Sequence, residues 1–159
     1  MTHRLPTITR YFAGVALALL GALATASPAR AAEGARVEVI VMELQKAETR
    51  QIDPALEQET QILELLPQYN RVRLIERRDT RLDVGENTKL EFATPAGKKA
   101  ELNVTLLERA EASMKLRVRC AALQNLDTTT THKEGGTFLV VRPQSGVGVA
   151  IRRVTKKSE

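Results

Sequence analysis

The chain has 159 residues, 24 basic and 19 acidic side chains, two histidines, one cysteine and no tryptophan. That length fits one domain with a modest core, and the lone Cys120 excludes an intrachain disulfide framework. The formal charge of +5 looks like a nucleic-acid binder's, but the chain order of the charges argues otherwise.

Residues 1–31 have the form of a cleavable secretory signal peptide. A basic start (His3, Arg4, Arg10) precedes an uncharged run from Tyr11 to Ala29, densest in apolar residues between Phe12 and Ala24. Ala29-Arg30-Ala31 then supplies an A-x-A cleavage site, placing the mature start at Ala32. A membrane anchor needs roughly 20 apolar residues in succession, and Thr25, Ser27 and Pro28 interrupt the run before that. No cysteine is present for lipid attachment near the site, and Arg4 and Arg10 are not a paired-arginine signal. The expected location is therefore exported: periplasmic, outer-membrane-associated or extracellular. Three basic residues and no acidic one lie in the leader, so cleavage lowers the net charge from +5 to +2. Only Tyr69, Phe92 and Phe138 remain as aromatics, which argues against nucleic-acid surfaces built from stacking rings.

The mature chain reads as one α+β domain over 32–155 with a polar tail at 156–159. Residues 37–44 are dense in β-branched and apolar side chains, and the unbroken run Val39-Ile40-Val41-Met42 predicts a central strand covered on both faces. Asp53 and Pro54 form an N-cap and first helical position. They predict a helix over 54–66 with Leu56, Ile62, Leu63 and Leu66 inward and Glu57, Glu59 and Glu64 in water. From Tyr69 onward two-residue alternation predicts strands at 70–77, 88–93, 99–107, 113–121, 126–132, 137–142 and 147–154. Turn signals separate them at 83–87, 95–97, 134–136 and 143–146. The order predicts a mostly antiparallel sandwich or strongly bent sheet with one packed helix.

Chemistry-bearing residues are sparse. His132 is the only histidine after the leader and has no local orienting group, so it reads as a surface turn residue at a strand end. Cys120 shares an alternating face with Met114, Leu116 and Val118 and reads as a small core residue. One histidine and one cysteine cannot close a zinc site. Asp79, Asp83 and Glu86 lack the calcium-loop spacing of an EF-hand. Gly146-Val147-Gly148 lacks the third glycine and following helix of a dinucleotide loop, and reads as a turn between strands. Asn103-Val104-Thr105 is a glycosylation sequon inside a predicted strand. No catalytic, metal or cofactor residue is assigned. Arg71, Arg73, Lys115, Arg117, Arg119 and Arg152 lie on the polar sides of predicted strands. If those strands are neighbours, these residues form an anionic-partner surface together with Arg77, Arg78 and Arg81.

The stretch Thr128-Thr129-Thr130-Thr131-His132-Lys133-Glu134-Gly135-Gly136-Thr137-Phe138-Leu139-Val140-Val141 is a threonine-rich strand, a charged glycine turn and a Thr-led apolar strand. This resembles the hairpin near the end of the secretin domain in bacterial outer-membrane channels. It departs from that pattern at Arg142-Pro143, where a glycine pair is expected, and the chain is too short for a channel domain. The resemblance implies an envelope-assembly setting and transfers no functional residue.

The expected function is that of a small, exported, non-enzymatic protein making protein–protein contacts in a bacterial cell-envelope assembly. It has no cofactor, no nucleic-acid partner and no transmembrane span after cleavage. A module for anionic glycan or lipid surfaces is the first alternative. An exported hydrolase is the second.

Overall fold

Val39, Ile40, Val41 and Met42 are all fully buried, because their strand has apolar cover on both sides. In the computed structural model, which describes residues 34–133 and 135–154, this strand is β1 (Ala35–Gln45). The leader and cleavage site expected over 1–31, and the tail at 156–159, lie outside the described residues. β1 is the centre of a five-stranded sheet. On one side it pairs with β3 (Arg71–Leu82), which is followed outward by the two-residue β2 (Gln51–Ile52). On the other it pairs with β9 (Val147–Arg153), followed by β8 (Thr137–Arg142) at the edge. All these pairings are antiparallel except β2 with β3. The second sheet is a four-stranded antiparallel meander: β4 (Asn87–Ala93), β5 (Lys99–Ala110), β6 (Ser113–Cys120) and β7 (Leu126–Lys133).

Alternation sends every second residue of most strands of both sheets into one apolar cluster. Val37, Val39, Val41, Val149 and Ile151 come from the first sheet, and Leu90, Leu102, Val104, Leu106, Leu116 and Val118 from the second. Full burial of each such side chain contributes roughly 1.5–3 kcal/mol. With so few aromatics, this aliphatic cluster supplies most of the core. Cys120 lies in it, as its alternation with Met114, Leu116 and Val118 predicts, and burial pushes its thiol pKa up. A thiol held protonated is a poor nucleophile.

The opposite face of the first sheet has a second cluster. Ile40, Met42, Leu44, Val72 and Ala150 meet Leu56, Ile62, Leu66 and Tyr69 from the segment that crosses over the sheet. Gly148 makes this packing close. A Cβ there would stand 2.8 Å from Leu44 Cδ1, so this glycine belongs to a strand interior and not to a phosphate loop.

The predicted helix over 54–66 is corrected to two short pieces, a 3-10 turn at Pro54–Leu56 and α1 (Thr60–Glu64). The start follows expectation, since Asp53 accepts a 3.0 Å hydrogen bond from the Ala55 N–H. Its other carboxylate oxygen accepts from the Leu74 N–H at 3.2 Å, which ties the cap to β3. The break falls where Glu59 leaves helical geometry (φ −86°, ψ 51°). Glu59, expected in water, is only 8% exposed, because two arginines hold its carboxylate against the sheet.

Bulges explain where simple alternation fails. Val41 pairs with Glu76 but Met42 pairs with Leu74, leaving Ile75 as an extra residue in β3. The parity of β3 therefore changes at this point. Arg77, which alternation would align with Arg71 and Arg73, instead sits opposite Ile40 on the helix-covered side.

The segment expected to be a hairpin at 128–141 is a corner. β7 pairs only with β6, and β8 only with β9. The turn between them carries the chain from the edge of one sheet to the edge of the other. Gly135 there has φ +76°, a left-handed value that glycine adopts without strain. Among the described residues no helix is long and apolar enough to cross a membrane.

Candidate interaction surface

The basic residues singled out in the sequence do not converge on one face. Lys115, Arg117 and Arg119 project from β6 in the four-stranded sheet, whereas Arg71, Arg73 and Arg152 belong to β3 and β9 in the other. On β6 the charges are interleaved with acids. Lys115 pairs with Glu108 at 2.8 Å, and Arg117 makes a two-pronged contact with Asp127 at 2.9 and 2.7 Å. The Arg117 contact holds the Asp127 carboxyl below its ordinary range, and Asp127 in turn raises the Arg117 pKa. Arg119 lies opposite Asp127 in the register and opposite Asn103 on its other side. Asn103, the sequon asparagine, is engaged with Asn87 and Glu101.

Arg71 and Arg73 line an open cleft of about 360 Å³ at one end of the first sheet, beside Glu43, Gln45, Gln51 and Asp53. The Arg71 Nε donates to Gln51 Oε1 at 2.7 Å, and Arg73 approaches Glu43 at 3.8 Å. Asp53 spends its carboxylate on the two backbone N–H groups described above.

Arg152 belongs to a four-residue ion cluster that the sequence did not reveal. Its guanidinium donates to both oxygens of Glu59, at 2.6 and 3.1 Å, and to Glu38 at 2.5 Å. Arg77 reaches Glu59 at 3.0 Å and lies 3.7 Å from Glu38. Both carboxylates are 8% exposed, while the arginines keep about a third of their side-chain surface in water. Burial works against the Arg152 charge, yet Glu59 and Glu38 outweigh it and hold its pKa above the ordinary value. With both carboxylates engaged by guanidinium groups, the cluster has no free base for hydrolysis. It joins β1, β3 and β9 to the residue before α1.

His132 is also corrected. It is 7% exposed, on the inner face of β7, with its ring in an edge-to-face contact with Phe138 of β8 at 5.2 Å. Burial lowers its pKa, favouring neutral imidazole. Among the described residues no carboxylate orients it, and its Nε2 is buried with no hydrogen-bond partner. Arg142 Nε, at the end of β8, is in the same condition. Leaving a buried polar group unpaired typically costs about 1–3 kcal/mol. No group of three His, Cys, Asp or Glu side chains among the described residues is placed to hold a metal ion. Asp79, from the candidate calcium set, pairs instead with Arg36 at 3.2 Å.

The four sheet edges differ. β2 has only two residues and β4 includes Lys89 and Glu91; β7 has charges only toward its ends, at Asp127 and Lys133, and is lined with polar threonines between them. These are devices that keep an edge from pairing with another chain. β8 has none of them over Thr137-Phe138-Leu139-Val140-Val141, and all six of its residues are half-buried. Phe138 and Val140 pack against the cluster shared by the sheets, and Leu139 and Val141 against the helix-covered one. The strand thus continues both apolar layers to an open rim. Comparison with protein-family models, curated proteins and solved structures found no match.

Proposed function

We propose that this is a small exported protein that works by protein–protein contact in a bacterial cell-envelope assembly, taking a partner strand along β8. The single observation that carries the reading is the β8 edge, uncharged over five residues and apolar toward both faces. Backbone hydrogen bonds along an added strand supply affinity, while alternate side chains select the partner. The two sheets, read as a β-sandwich from their shared cluster, form the scaffold that presents this edge. The signal-peptide pattern read at 1–31 supports export and with it the envelope setting. The interleaved acids on β6 favour this reading over an anionic glycan or lipid surface.

The test is covalent crosslinking of the tagged protein in its native cells, followed by fractionation. The wild type is expected in a discrete envelope-protein adduct, at least tenfold depleted for Val140→Lys, with circular dichroism showing that the variant remains folded. A wild-type protein that stays uncrosslinked in the envelope fraction contradicts the proposal.

A further inference from the structure

Resting on that reading of β8, we infer that the strand it takes is the β8 of a second copy, joined antiparallel about a two-fold axis into a continuous ten-stranded sheet. A partner strand at this edge must be uncharged over about five residues and present apolar side chains to both layers. β8 meets that description itself. Directly opposed residues of an antiparallel pair point to the same face, so a two-fold axis passing through Leu139 or through Val140 keeps like faces together. An axis through Val140 sets Leu139 opposite Val141 of the second copy, within the helix-covered layer. An axis through Leu139 sets Phe138 opposite Val140 of the second copy, within the layer between the sheets. An axis between the two residues would oppose apolar positions of different faces, so the pleat excludes it.

Charge agrees with this pairing. Arg142 is the strand's only charged residue, and antiparallel symmetry separates the two copies of it to opposite ends of the joint. Such an interface is isologous and closes at two chains, so the edge is consumed without opening a route to fibres.

Sedimentation of mature protein over a concentration series, combined with single-cysteine trapping in a Cys120→Ala background, tests this. The expected result is a mass of two chains. Either Leu139→Cys or Val140→Cys should form a disulfide-linked dimer, whichever lies on the axis, and Lys89→Cys on the β4 edge should form none. A single-chain mass throughout, with no self-linked product from either β8 cysteine, overturns the inference. So does equal linking from position 89. The trap reports a gained product, so a variant that merely fails to fold cannot mimic it. A monomer whose β8 still crosslinks to an envelope protein in cells removes the second copy and leaves the proposed function standing. A dimer without any envelope adduct does the reverse.

Discussion

Glu59 shows how one side chain changes the structure around it. In water it would extend a helix face; held by Arg77 and Arg152, it stands in non-helical geometry just before α1 and keeps the two short helical pieces apart. Breaking a fully buried ion pair costs about 3–5 kcal/mol because a charge is stranded, and the partly exposed arginines here reduce that. Glu59→Gln is therefore expected to lower unfolding stability by ~2 kcal/mol, read from the urea midpoint at unchanged slope. His132 acts through protons. Its pKa in the fold lies below the ordinary 6.5, so just below 6.5 the unfolded chain binds more protons than the folded one. Stability from this group is present above 6.5 and is lost as pH falls toward the folded value. Thermal unfolding between about pH 5 and 7 should show a slope that is reduced in His132→Leu. At Gly148, where a Cβ would press on Leu44, Gly148→Ala should destabilise by about 1–3 kcal/mol. Leu44→Ala in the same chain should remove part of that penalty, giving a non-additive double-mutant cycle.

At the scale of elements, regular strands were legible and the departures from regularity were not. The eight longer strands fall close to their sequence-predicted positions because alternation alone decides which face is buried. β2 escaped, being two residues long, and β3 runs five residues past its expected end through the arginine-rich stretch Arg77–Arg81. There a neighbour's hydrogen bonds, not local hydrophobicity, hold the strand. The bulge at Ile75 is set by how β3 fits against β1, so Arg77's partners could not be read from spacing. Gln124 and Asn125 turn the chain with positive φ and no glycine to mark it. His132 was misread because a polar residue beside a glycine turn has a surface pattern, while the corner between the sheets buries it. The uncharged window at 137–141 was visible in the sequence, but its position at an edge required the strand order. Val140 packs against the cluster between the sheets but is only half-buried, so the chain stays folded with a lysine there, its charged end running out past the rim. On the proposal that β8 takes a partner strand, hydrogen exchange should show its outward amides exchanging faster in Val140→Lys than in the wild type.

For the whole molecule, charge and topology point the same way. The whole chain carries +5 but residues 32–159 only +2, and the arginines the sequence singled out are divided between two sheets or tied to carboxylates. Binding to anionic vesicles is therefore expected to be weak and little altered by Arg117→Glu with Arg119→Glu. Strong, salt-sensitive binding abolished by those changes would favour the anionic-surface alternative. Among the described residues, β8 is the one apolar sheet edge, where the other three are short, charged or lined with threonine. The most direct measurement is in-cell photo-crosslinking from single reporter positions: Val140 on β8, Lys89 on β4 and Thr129 on β7. The expected result is a protein adduct from position 140 and none from 89 or 129. Adducts from 89 or 129 with none from 140 would contradict β8 as the contact edge.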